Sequence, residues 1–117
     1  VLIGHSCGCA FLVRWLGDSN KKIDKLILVA PWKTTENEKD LRRKEFYGYE
    51  IKDNVRNNVN EITIFTADNE GAGGKKSAKI FYQALGGKFI ELKGRGHYTL
   101  GDMGTAEFPE LLNSILS

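Results

Sequence analysis

Cysteine is scarce in this 117-residue chain, with only Cys7 and Cys9 present. Two apart in a presumed helix, they point in different directions and make a poor disulfide pair, which excludes a disulfide-stapled scaffold and makes a reducing cytoplasm the expected location. Net charge is scarce too. Seventeen Lys and Arg against fifteen Asp and Glu leave +2, too small an excess to point to a nucleic-acid or anionic-membrane partner. Long apolar runs are missing: the longest, Cys7 to Val13 and Leu26 to Pro31, fall well short of the roughly 20 residues that span a bilayer. No basic-then-apolar leader opens the sequence, so no membrane or secretory role is expected. What is present is globular in balance. Hydrophobic residues make up 41% and charged residues 27%, which fits one domain over residues 1–117 with one core and excludes a disordered or fibrous chain.

The chain starts on Val1-Leu2-Ile3 with no initiator Met, as though partway along a buried strand, and further residues are expected upstream. Apolar runs predict strands over Val1–His5, Lys25–Ala30, Glu61–Ala67 and Lys88–Lys93. Between them, Cys7–Leu16 reads as a helix apolar on nearly every face, hence buried, and stopped by Gly17. Thr34–Tyr49 is a charge-rich, solvent-facing excursion whose charge run, Glu36 to Glu45, reads as a solvated helix face and which ends in Phe46, Tyr47 and Tyr49. Ile51, Val55 and Val59 recur at helical spacing and predict a short helix. Gly71–Gly74 breaks the chain but lacks the Gly-Lys-Ser/Thr ending of a phosphate-binding loop. Ala78, Phe81, Tyr82 and Leu85 then mark one face of a helix closed by Gly86-Gly87, and Phe108, Leu111, Leu112, Ile115 and Leu116 mark a last amphipathic helix. Strands alternating with helices predict an α/β class: a mostly parallel sheet of about four strands with helices on both faces.

Three groups at strand ends carry chemistry. Gly4-His5-Ser6-Cys7-Gly8 matches G-x-S-x-G, the strained strand-to-helix turn that lifts a serine hydroxyl clear of the backbone, with glycines two before and two after to avoid Cβ clashes. A serine needs a base to take its proton, and only His5 and His97 exist to do so. His5 adjoins Ser6 and is expected to point to the other side of the strand end. His97, in the loop Gly94-Arg95-Gly96-His97-Tyr98, is the better base. The base needs an acid to orient it, and the third strand ends in Thr66-Ala67-Asp68-Asn69-Glu70, where both Asp68 and Glu70 qualify. Serine, acid, histidine is the chain order of α/β-hydrolases. Trp32, Phe46, Tyr47, Tyr49 and Tyr98 are placed either to line a small apolar pocket or to pack a core edge, Trp32 and Tyr98 being the pocket candidates near the strand ends. The Cys7 side chain is expected to be packed, leaving its amide as the useful group.

Leu2-Ile3-Gly4-His5-Ser6-Cys7-Gly8, Leu28-Val29-Ala30-Pro31-Trp32, Ile62 through Glu70, Gly96-His97-Tyr98-Thr99 and Glu107-Phe108-Pro109-Glu110-Leu111-Leu112 together resemble the small serine hydrolases of the α/β-hydrolase superfamily, the group that includes retinoblastoma-binding protein nine and bacterial YdeN-like esterases. The resemblance runs from end to end of the chain. It implies Ser6 as nucleophile, His97 as base and no cofactor or metal. The family's acid is an aspartate in a Ser-x-x-Asp-Pro-like turn, and its place falls on Glu70, with Asp68 the alternative; Gly71 replaces the proline. The resemblance also implies that the chain is the C-terminal two-thirds of a hydrolase. The backbone N–H of Cys7 would then be one half of an oxyanion hole whose other half lies in an upstream His-Gly loop. The expected activity is hydrolysis of a small ester or amide, with the oligomeric state left open. The alternative is a catalytically weak interaction module on the same fold, which the glutamate and the missing upstream loop would favour.

Overall fold

The computed structural model describes residues 1–117. In chain order it contains β1 (Leu2–His5), α1 (Cys7–Ser19), β2 (Ile23–Val29), α2 (Leu41–Tyr47), α3 (Asp53–Asn58), β3 (Val59–Ala67), α4 (Ala72–Leu85), β4 (Lys88–Leu92), α5 (Leu100–Met103) and α6 (Pro109–Leu116). The four strands form one sheet in the order β1-β2-β3-β4, and every pair is parallel. The class is α/β, with helices on both sides of the sheet.

The unbroken apolar run of β2 exists because both faces of the strand are covered. Side chains alternate across a strand, so Leu26 and Leu28 enter one core with Ile62 and Ile64 of β3, Val13 and Leu16 of α1, and Phe81 and Leu85 of α4. Ile27 and Val29 enter the opposite core with Phe65 and Ala67, against Phe108, Leu111 and Ile115. Lys25, also buried, donates from Nζ to the carbonyls of Ser114 (3.2 Å) and Ile115 (2.9 Å) at the end of α6, where helix-terminal carbonyls lack intrahelical donors.

Three expectations change. α1 does not stop at Gly17: the helix runs on to Ser19 and is closed by Asn20 in the left-handed conformation, φ 52°. Gly17 lies inside it, where a Cβ would sit 3.3 Å from the Lys52 side chain. Nor is α1 buried all round, since only the face carrying Cys9, Ala10, Val13 and Leu16 meets the sheet, while Phe11 (57%) and Trp15 (39%) are exposed. The charged excursion contains α2 where a solvated helix face is expected, its first amides held by the Asp40 carboxylate, Oδ1 accepting from Arg42 N at 2.8 Å and Arg43 N at 3.4 Å. Finally, residues 72–74 of the glycine run form the first turn of α4 rather than a break.

Candidate active site

Ser6 sits between β1 and α1 with φ 56° and ψ −121°, a left-handed backbone that a serine adopts only where its surroundings enforce it. They do so through the main chain. Ser6 N donates to Val29 O (3.0 Å), and Ser6 O accepts from Cys9 N and Trp32 N, both at 3.2 Å. Gly4 is required by contact, because a Cβ there would lie 3.0 Å from Cys9 Cα and 3.1 Å from Cys9 N. Gly8 is not: a Cβ there meets nothing within 4 Å.

His97 comes from the far edge of the sheet, in the loop after β4. Gly96 (φ 56°) and Tyr98 (φ 59°) bend that loop over the strand ends. It is tied down at several points: Gly96 N donates to Asn69 Oδ1 (2.8 Å), His97 N to Asp102 Oδ2 (2.9 Å) and the Tyr98 hydroxyl to Thr66 O (2.6 Å). The result brings three side chains into line. His97 Nε2 lies 2.8 Å from Ser6 Oγ, and His97 Nδ1 lies 2.8 Å from Glu70 Oε2. A carboxylate only accepts, so with the ring neutral Nδ1 carries the proton and Nε2 is left to accept from the serine hydroxyl. The Glu70 side chain is 7% exposed, and its other oxygen, Oε1, accepts from Gly71 N at 3.0 Å.

Asp68 is not part of this line. Its Oδ1 accepts from Gly94 N at 2.7 Å, joining the end of β3 to the loop that follows β4. Tyr98 does not line a pocket either. At 8% exposed it belongs to the core, its ring stacked on Phe108 with centroids 5.2 Å apart, and burial pushes its phenol well above the ordinary range. Trp32 is half-buried; its ring packs on Gly73 of α4 and borders a cleft of about 350 Å³ with Thr34, Asn37 and Lys76.

The Cys7 thiol is exposed, contrary to expectation. It opens onto a second cleft, of about 310 Å³, with Arg42, Arg43, Phe46 and Tyr47. The Cys7 amide lies in the first turn of α1, where backbone N–H groups have no intrahelical acceptor. Lys33 fixes this wall by donating to the carbonyls of Tyr47 (3.0 Å) and Tyr49, and desolvation there pulls its ammonium below the ordinary range. Tyr49 itself donates to Ala10 O and borders clefts beside Arg14 rather than the Cys7 cleft.

His5 does not turn away from the site. Its Nε2 contacts His97 O at 2.8 Å. Neither this contact nor the Asn69 and Asp102 anchors of the loop had a signal in the sequence, since each depends on a backbone group brought close only by the fold. No group of three or more His, Cys, Asp or Glu side chains is arranged to hold a metal ion, and no helix is long and apolar enough to cross a membrane.

A parallel sheet wrapped by helices, with a serine on a left-handed strand-to-helix turn at one edge, defines an α/β fold of hydrolase type. The family model for serine hydrolases matches residues 1–116, and the chain belongs to that family. Among solved structures, the crystal structure of the ydeN gene product from B. subtilis superposes with a TM-score of 0.79 at 18% identity, over 98% of this chain and 62% of that one. At that identity the match speaks for the fold, and this chain spans less than two thirds of the YdeN length. A search of curated protein sequences finds no match.

Proposed function

We propose that the protein is a carboxylesterase-like serine hydrolase that cleaves a small ester or amide through an acyl-enzyme on Ser6, with His97 as base and Glu70 as the acid, in the cytoplasm. The observation that carries this reading is the hydrogen-bonded line Glu70–His97–Ser6, with both contacts at 2.8 Å. Ser6 Oγ attacks the acyl carbonyl carbon while its proton passes to His97 Nε2, and Glu70 stabilises the imidazolium that forms. The carbonyl oxygen becomes an oxyanion beside the Cys7 amide, at the positive end of α1. The imidazolium then returns the proton to the leaving oxygen or nitrogen as that bond breaks. Water, deprotonated by His97, releases the acid product and restores Ser6. The cleft walled by Cys7, Phe46 and Tyr47 supplies apolar surface for the acyl chain.

In hydrolases of this type a second oxyanion donor comes from a loop upstream of the nucleophile, and loss of one donor costs about 2.7 to 4 kcal/mol, a factor of roughly 10² to 10³ in turnover. The reading as a catalytically weak module drew on the glutamate in the acid position, and the 2.8 Å contact of Glu70 with His97 weighs against it. A series of p-nitrophenyl esters from acetate to octanoate tests the proposal. Turnover of the short members, lost in Ser6→Ala, supports it; no turnover above background by the folded protein sinks it.

A further inference from the structure

The acid of the site is a glutamate, one methylene longer than an aspartate, and it folds back beneath α4 to reach His97. The third residue of that helix is Gly74, and it is buried. A Cβ at Gly74 would lie 2.5 Å from both Cγ and Cδ of Glu70 and 2.8 Å from Oε1. Carbon atoms in van der Waals contact sit about 3.5 to 4.0 Å apart, so even an alanine would occupy the space that the Glu70 side chain now fills. Local propensity does not explain a glycine here. Apart from proline, it is the least favourable residue inside a helix, and neither the backbone conformation nor a turn requires it at this position.

We infer that Gly74 is a positioning residue: the absence of its side chain lets a glutamate serve as the acid, by leaving room for Glu70 to hold Oε2 on His97 Nδ1 and Oε1 on Gly71 N. This rests on the hydrolase reading for its catalytic consequence but not for its structural one. The atoms that must yield to a new methyl belong to the Glu70 side chain and not to backbone, so the methyl is accommodated by moving that side chain off its two partners. Displacement by about 1 Å is enough to break both bonds, and misplacement on that scale costs an enzyme on the order of a hundredfold in rate.

The test is a double-mutant cycle of Gly74→Ala and Glu70→Ala, with kcat, KM and melting temperature measured for each, and with the imidazole Nδ1–H proton of His97 followed by NMR. Gly74→Ala is expected to lower kcat on the order of a hundredfold, leave KM and the melting temperature near their starting values, and abolish the downfield Nδ1–H resonance. Added to Glu70→Ala, it is expected to cost no further activity. Full kcat with an intact Nδ1–H resonance in Gly74→Ala would overturn the inference, as would a loss that persists undiminished on top of Glu70→Ala. If the unmutated protein hydrolyses nothing, the hydrolase reading fails, and the Nδ1–H resonance alone decides whether Gly74 positions Glu70.

Discussion

The imidazole of His5, one residue before Ser6, reaches the main-chain carbonyl of His97, Nε2 to oxygen 2.8 Å, with the two rings 5.2 Å apart. The strands that deliver these residues lie at opposite edges of the sheet, β1 at one end of the order and β4 at the other. The contact therefore ties the serine turn directly to the histidine loop. The backbone carbonyl only accepts, so His5 Nε2 is the donor.

Removing that tie should loosen the alignment of His97 without removing any reacting group. A net hydrogen bond contributes about 0.5 to 1.5 kcal/mol, so His5→Ala is expected to lower kcat roughly two- to tenfold at little changed KM, with His5→Gln, which keeps a donor, recovering part of it. Steady-state kinetics on a p-nitrophenyl ester checks this, and unchanged kcat in His5→Ala would show the tie to be idle.

The two acidic residues at the end of β3 should separate sharply. Loss of the carboxylate that orients a catalytic histidine costs on the order of 10⁴ in kcat in a serine protease, and a drop of at least ~10²-fold is expected for Glu70→Gln. Asp68→Asn keeps an oxygen for Gly94 N and is expected to retain activity within about tenfold. The reverse ranking in a side-by-side assay would move the acid to Asp68.

The two cysteines should differ in reactivity. Burial pushes the Cys9 thiol up to about 12, whereas Cys7 is exposed at the mouth of the cleft, and only a thiolate alkylates readily. Iodoacetamide at pH 8 is expected to add once to the native protein, at Cys7, and twice in denaturant. Two adducts on the native protein by intact mass would contradict the burial of Cys9.

The histidine loop is also braced from α6, where Arg95 Nη2 meets Glu110 Oε2 at 2.7 Å. That ion pair holds the Glu110 carboxyl below the ordinary carboxylate range, so its stabilisation is present above the unfolded pKa of about 4.3 and is lost as pH falls through the lower folded value. The pair is partly exposed and screened, which limits it to under about 1 kcal/mol. Urea unfolding should find Glu110→Gln less stable than the parent at pH 7 and equal to it near pH 2.5; an equal gap at both would remove the ion pair as the cause.

Much of this is legible in the amino-acid sequence. The run Leu26-Ile27-Leu28-Val29 reads as a doubly covered parallel strand because only that environment accepts apolar residues on both faces, and G-x-S-x-G after such a run reads as a strained turn because the turn needs glycine where strand and helix crowd, as at Gly4. The charge run Glu36–Glu45 reads as a solvated helix face, and α2 falls on it, but its exact start depends on one carboxylate, Asp40, among many charges. The pocket candidates divided for a similar reason: Tyr98 and Trp32 look alike as exposed-loop aromatics, and only the path of the loops buries Tyr98 on Phe108. Nothing local distinguishes Asp68 from Glu70, since the difference lies in what each meets across the sheet.

The most direct measurement is labelling with a fluorophosphonate, which bonds covalently to a serine whose hydroxyl is activated by a neighbouring base. The folded protein is expected to gain one adduct on the peptide carrying Ser6, with labelling lost in Ser6→Ala and slowed at least ~10³-fold in His97→Ala. Labelling that survives Ser6→Ala, or none at all on folded protein at neutral pH, would contradict a nucleophilic Ser6.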